Sequence, residues 1–194
     1  LTGTAVGALV LGFGLPLGSS RVQAAAAAAS AERGTQVPAF LEIRPDNTVR
    51  LLSPFMEGGQ GTFTAMAQIV GEELDADPST FLVESAPPGE EYVVLENGWR
   101  ITGGSMSVRM SYPVMRRLGA LARAMLLQAG SEKLRVPISE LSTEPGKVVH
   151  IASGRSIAYG ELAERAMDLP VPAPESVQLR DPSKFRWIGQ PVKR

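Results

Sequence analysis

The sequence predicts an α+β fold: a short mixed or antiparallel sheet packed with two main helices, plus a small hairpin-helix unit. Three observations carry this. Two apolar sets recur at helical spacing, first Phe63, Met66, Ala67, Val70 and Leu74, then Val108, Tyr112, Met115, Leu118, Leu121, Ala122, Met125 and Leu126. Leu41 and Ile43 alternate with Glu42 and Arg44 and, beyond the turn residues Pro45-Asp46-Asn47, Val49 and Leu51 alternate with Thr48 and Arg50, which is a β-hairpin pattern. A second hairpin pattern, Val148 to Ile151 and Arg155 to Ala158 about Ala152-Ser153-Gly154, leads into a helical stretch from Glu161 to Met167 that Gly160 precedes.

Taken in order, Leu1 to Leu17 is apolar, uncharged and broken by glycine, and Arg21 and the run Ala24 to Ala29 follow. It is short and rich in glycine for a membrane span, and it fits the apolar region of an export signal with small-residue cleavage sites such as Val22-Gln23-Ala24; a weak membrane anchor or a buried helix is the alternative. Leu1 is not a start methionine and no basic leader precedes it, so the chain is expected to begin inside a longer precursor. Ser30 to Pro38 is polar and without period, a linker. After the first hairpin comes Met56-Glu57-Gly58-Gly59-Gln60-Gly61-Thr62, which feeds the first helix; Asp77-Pro78 closes that helix. Phe81 to Val83 reads as a short strand ended by Ala86-Pro87-Pro88-Gly89, and Tyr92 to Leu95 as another strand before the turn Glu96-Asn97-Gly98. The second helix is expected between Ser107 and Gly130, with Gly130 as its stop and Pro113 pushing its start later than Ser107. From Leu169 the chain is rich in proline and irregular, and it is expected to lead into a further domain.

Composition removes several functions. With 194 residues and 44% hydrophobic content the chain buries a real core, as one domain with appendages or two small ones. A net charge of -1 leaves no Lys/Arg excess for general nucleic-acid binding. Cysteine is absent and His150 is the only histidine, which argues against Cys-ligated zinc or iron–sulfur, a His-based metal site and a Ser-His-Asp triad within this chain. His150 itself is expected to be structural or exposed. Redox chemistry must then come from a bound cofactor or a partner.

Two stretches point to a ligand. Glycines flanking Gln60 let a backbone approach closely, and the Gln60 amide can donate and accept together, which suits the edge of a heteroaromatic group. Thr102-Gly103-Gly104-Ser105-Met106-Ser107 combines small residues and hydroxyls at the start of a helix, where free N–H groups favour phosphate. A turn at the first and a plain helix cap at the second are the simpler readings. Neither dinucleotide fingerprint nor Walker lysine is present. Glu57, beside the glycines, is expected to be a solvated loop residue or a partner for a backbone N–H rather than a base. Arg109, Arg116, Arg117 and Arg123 lie along the second helix, where reaching phosphates is one reading, and a solvated face is expected for most of them.

The order and spacing of three segments resemble the molybdopterin-binding subunits of the xanthine oxidase family of molybdenum hydroxylases, in particular the large subunit of isoquinoline 1-oxidoreductase and periplasmic aldehyde dehydrogenases. The segments are Glu57-Gly58-Gly59-Gln60-Gly61-Thr62-Phe63-Thr64, Gly71-Glu72-Glu73-Leu74 and Thr102 to Ser107. Ala152-Ser153-Gly154-Arg155, Tyr159 to Ala163 and Phe185 to Gly189 look like the same branch, so the likeness covers Leu41 to Arg194. Gly58 and Met106 depart from it: the family commonly carries methionine at the first position and a smaller residue at the second.

The resemblance implies that Gln60 contacts the molybdenum-bearing pterin end, that Gly59 and Gly61 allow its approach, and that Gly103, Gly104, Ser105 and Ser107 hold the pterin and its phosphates. The implied cofactor is molybdopterin cytosine dinucleotide with molybdenum. It implies oxidation of aldehydes or N-heterocycles with water as oxygen source, and a catalytic glutamate that no residue here matches, so this chain alone would not turn over. It further implies an iron–sulfur small subunit, with clusters only there, room for a cytochrome c, the remainder of the large subunit as partner, and a periplasmic place that allows membrane association through a partner. The chain then divides into an export-signal remnant (1–30), a linker (31–38), a molybdopterin-binding module (39–130), the hairpin-helix unit (131–168) and an irregular connection (169–194). The competing reading is an exported non-catalytic α+β binding or scaffold protein whose glycine loops are turns.

Overall fold

The computed structural model describes residues 8–11, 40–89, 92–95 and 97–190. The proposed cleavage site and the linker lie outside these residues. Leu9–Leu11, within the stretch of export-signal composition, forms strand β1. It pairs antiparallel with β2 (Leu41–Ile43), which pairs antiparallel with β3 (Val49–Ser53) through the expected hairpin, Leu41 facing Leu51. Asn47 supplies the positive φ of 70° that the turn requires.

From β3 the chain passes through the glycine stretch into helix α1 (Thr62–Leu74), then returns as β4 (Phe81–Ser85), parallel to β3. The first sheet is therefore mixed, in the order β1-β2-β3-β4. Helix α2 (Met106–Leu134) crosses α1 closely. A Cβ on Gly119 would lie 2.5 Å from the Val70 carbonyl oxygen and 2.9 Å from Glu73 Cβ, so a glycine is required at the crossing.

Three expectations need correction. Residues 92–95 form no strand: the Tyr92 and Gly98 amides close turns onto the Gly89 and Leu95 carbonyls, and Tyr92 is buried edge-on against Phe40, ring centroids 5.2 Å apart. Apolar burial explains that pattern without a sheet ladder. Helix α2 starts before Ser107 and includes Pro113, which stands early in the helix and only deprives the Arg109 carbonyl of its usual donor. Gly130 does not stop it. The helix runs one more turn, and the glycine instead admits Val148, whose Cγ1 would be 2.9 Å from a Cβ there.

The remainder forms a second sheet, β5 (Leu141–Glu144), β6 (Lys147–His150) and β7 (Ser156–Ala158), all antiparallel, followed by α3 (Tyr159–Met167). Strand β5 goes beyond the single hairpin expected; its signal was the Pro145-Gly146 turn, with Gly146 at φ 75°. This unit shares the main core. Tyr159, Leu162 and Val148 join Leu51, Leu74, Met66 and Leu118 in one buried cluster. The Tyr159 hydroxyl donates to the Leu74 carbonyl at 2.8 Å, and burial pushes its pKa up, which keeps the donor protonated.

The C-terminal turn of α1 fastens the irregular segment. Glu72 accepts the N–H groups of Arg186, Trp187 and Ile188. Glu73 pairs with Arg116 and Arg123 and accepts the Arg180 N–H at 2.8 Å. Asp75 pairs with Arg180 and Arg186, each at 3.0 Å. All three carboxylates are buried and each meets cations or donors, as a buried charge must. Arg116 and Arg123 are thus part of the interior and do not form the solvated face expected of them, whereas Arg117 is exposed.

Candidate functional site

The glycine stretch begins where β3 ends. Ser53 is buried and its hydroxyl donates to the Phe55 carbonyl at 2.8 Å, which anchors the chain before it turns outward at Met56. One Glu57 oxygen accepts the N–H groups of Gly59 (2.7 Å) and Gly61 (3.0 Å), and the other accepts that of Phe63 (2.9 Å). The carboxylate therefore occupies the positive start of α1 as a cap. Bonds from the Phe63 and then the Gly61 amide hold its pKa below the ordinary glutamate range. Of the two roles expected for it, this is the backbone partner and not the solvated loop residue.

Gln60 is bound within its own loop. Its amide nitrogen donates to the Met56 carbonyl (2.8 Å) and the Thr62 hydroxyl (2.9 Å), while its oxygen accepts the Gly58 N–H (2.6 Å). Both amide protons are used, and one lone pair of the oxygen stays open. Gly59 and Gly61 take φ of 95° and 83°, the left-handed region where a side chain is strained.

The second loop is held by Arg100, whose guanidinium donates to the Pro54, Ala86 and Pro87 carbonyls and stacks over Tyr92. One arginine thus ties together the exits of β3 and β4. Thr102 then reaches the glycine stretch directly, its hydroxyl accepting the Met56 N–H at 2.9 Å. Gly104 and Ser105 both have positive φ, 59° and 57°, and Ser105 starts α2 without a side-chain cap.

The two loops bound one cleft of about 620 Å³. Gln60, Gly61, Gly103, Ser105 and Ser107 line it; Gly59 and Gly104 do not, and shape the loops behind it. Thr62 and Thr102, from the same two stretches, and Arg109, one of the four helix arginines, also line it. The signal for Arg109 was its place one helical turn after Ser105, on the same side of α2. Exposed apolar side chains surround the loops: Met56 and Trp99 are 70% and 59% exposed, and Ile101 and Val108 are also open.

His150, far along the chain on β6, is buried; its Nε2 meets Glu140 at 3.0 Å and its Nδ1 meets the Ser153 hydroxyl at 2.6 Å. It closes the hairpin, the structural role expected. Among the described residues, no cluster of three or more His, Asp or Glu side chains is arranged to hold a metal ion.

A family model described as the molybdopterin cofactor-binding domain matches residues 4–192. The chain belongs to that family. Isoquinoline 1-oxidoreductase subunit beta of Brevundimonas diminuta is 34% identical over 125 residues, covering 63% of this chain and 16% of that protein. The membrane-bound aldehyde dehydrogenase [pyrroloquinoline-quinone] of Gluconacetobacter polyoxogenes is 27% identical over 192 residues, 96% of this chain and 24% of that protein. The chain therefore spans about a quarter of the length of these relatives or less. Among solved structures, reconstituted CO dehydrogenase from Oligotropha carboxidovorans matches with a TM-score of 0.51 and 17% identity over 74% of this chain and 21% of that one, a likeness of fold.

Proposed function

We propose that this molybdopterin cofactor-binding chain supplies part of the molybdenum-cofactor cradle of an oxidoreductase that oxidises aldehydes or N-heterocycles with water as oxygen source. One observation carries the reading: in a member of this family, both small-residue loops border a single cleft and are joined by the Met56–Thr102 bond. Family membership favours it over the non-catalytic scaffold.

The cleft fits such a group in chemistry as well as size. Gln60 offers an amide to a flat polar head, exchanging its bonds to Met56 and Thr62 for ligand bonds. Gly61 and Gly103 let the backbone come close. Ser105 and Ser107 bring hydroxyls to phosphate at the uncapped start of α2. Gly59 and Gly104 contribute by shaping the two loops. We assign the cofactor as molybdopterin cytosine dinucleotide, which has both kinds of end.

When bound, the molybdenum cofactor supplies the two-electron oxidation. This chain's residues bind and orient it. Among the described residues that line the cleft the only ionisable side chain is Arg109, and a guanidinium that stays protonated cannot serve as base. In this reading the base comes from the remainder of the large subunit, and this chain by itself is expected not to turn over. The exposed apolar side chains on the loops suit burial against the rest of a large subunit. An iron–sulfur small subunit carries the electrons onward in this reading, with a cytochrome c beyond it, in the periplasm. No described helix is long and apolar enough to cross a membrane.

The test is metal and nucleotide analysis of the purified complex. Molybdenum and cytidine nucleotide in equal amounts, with no turnover by this chain alone, is the expected result. A complex that holds neither overturns the proposal.

A further inference from the structure

A second cavity, of about 900 Å³, lies between the middle of α2, strand β5 and the segment 177–184, and it shares no lining residue with the cleft of the two loops. Its size is that of a small-molecule site. Arg116, Ala120, Arg123, Ala124 and Leu127 form one wall, at spacings of three and four along α2. The opposite wall runs the other way. The Gln178 carbonyl accepts from Arg123 and the Arg180 carbonyl from Arg116, and Arg116 also stacks on Phe185, which places Lys184 at the Arg116 end and Val177 toward Leu127. The cavity is cationic at one end and apolar at the other.

The cations outnumber the carboxylates that serve them. Glu73 is shared by Arg116 and Arg123, and Asp75 by Arg180 and Arg186. Glu72 is occupied by the N–H groups of Arg186, Trp187 and Ile188, and its oxygen stands 3.9 Å from Arg180 Nε, too far for a hydrogen bond. Arg180 Nε is accordingly buried without an acceptor, the one such side-chain atom among the described residues. Buried donors are otherwise satisfied. Burial and the neighbouring Arg180 charge also hold the Arg123 pKa below the ordinary arginine value, against the pull of Glu73. Lys184 is exposed and, among the described residues, is in no ion pair. Asp181, the only carboxylate that lines the cavity, already accepts the Ser183 N–H at 2.9 Å and its hydroxyl at 2.8 Å, bonds that lower its pKa more than the attraction of Lys184 does.

We infer that this cavity is a binding site for a small organic carboxylate with an apolar body, its charge held among Arg116, Arg123, Arg180 and Lys184 and its body lying between Ala124, Leu127 and Val177. Guanidinium forks match a planar carboxylate, which brings the negative charge and the acceptors that two shared carboxylates leave short. A bare inorganic anion would leave the apolar end unused. The inference is independent of the cofactor reading, because the two sites have separate walls.

The experiment titrates the full chain with sodium benzoate by calorimetry, beside benzamide as the neutral counterpart and sodium sulfate as an anion without an apolar body. Circular dichroism establishes that each variant is folded. Benzoate should bind and shift the side-chain Nε–H resonances of Arg116, Arg123 and Arg180 while the backbone amides of Gly61 and Ser105 stay unmoved. Benzamide and sulfate should bind at least about tenfold more weakly. K184Q removes an exposed charge and should weaken benzoate about threefold. A124L fills the apolar end and should abolish binding, and R109Q, in the other cleft, should bind as wild type. Absence of benzoate binding by the wild-type chain overturns the inference, as does equal binding of benzamide or sulfate, wild-type affinity in K184Q or in a folded A124L, or a loss in R109Q. If A124L does not fold, K184Q and the arginine resonances decide. The titration is repeated on the purified complex: benzoate that binds the chain but not the complex assigns the cavity to a carboxylate from another part of the assembly and overturns a small-molecule ligand.

Discussion

The Met56 amide donates to the Thr102 hydroxyl at 2.9 Å, joining two loops that are 46 residues apart in sequence and that each lead into a helix. Thr102→Val keeps the shape and removes the acceptor. We expect a loss of about 1 kcal/mol in urea unfolding, the usual worth of one such bond, and poorer molybdenum retention in the complex. Thr102→Ser keeps the hydroxyl and should restore both. Equal retention in all three proteins would show that the bond does not shape the cleft.

Glu57 makes the glycine loop sensitive to acid. Its pKa is lowered in the folded chain by the Phe63 and Gly61 amides, so the stabilisation it gives is complete above the ordinary glutamate pKa and is lost as pH falls through the lowered folded value. The amide resonances of Gly59, Gly61 and Phe63 should therefore shift together in that acidic window. In Glu57→Gln the transition should vanish, and its persistence would assign it to another group.

At the crossing of α1 and α2, Gly119→Ala puts a methyl 2.5 Å from the Val70 carbonyl oxygen. Backbone cannot yield as a flexible side chain can, so a destabilisation of about 1–3 kcal/mol is expected from overpacking. Gly58→Ala is the comparison, where the nearest atom is the Gln60 Oε1 at 3.3 Å. It should alter unfolding much less.

Glu73→Ala leaves Arg116 and Arg123 facing each other without their shared carboxylate. Removing one partner of a buried ion pair typically costs about 3–5 kcal/mol, and a loss of that size in chemical denaturation is expected. Glu72→Ala is expected to act more locally. Amide exchange at Arg186, Trp187 and Ile188 should accelerate, since their acceptor is gone, while β3 amides keep their protection.

What the sequence made legible was local. Alternation located the first hairpin, the 3.6-residue period located α1 and α2, and glycine with hydroxyl residues marked both walls of the cleft. Contacts between distant residues were hidden. Glu72 and Glu73 could be matched to a motif, but nothing in periodicity says that they hold backbone more than a hundred residues away. For the same reason Arg116 and Arg123 looked solvated: a charged side chain on a helix is ordinarily in water, and only the fold brings a buried carboxylate to these two. Gly130 looked like a stop because its partner, Val148, lies on a strand of another sheet. Arg109 was noticed yet indistinguishable from Arg116, Arg117 and Arg123 until the fold set it alone among them at the cleft.

Helix α1 carries the cleft's loop at its first residue and the grip on Arg186 to Ile188 at its last turn, with Gln68 between them donating to the Trp187 carbonyl. Thirteen residues of helix make a rod of about 20 Å. A rod clasped at both ends holds the glycine loop and the Trp187 segment at a fixed spacing.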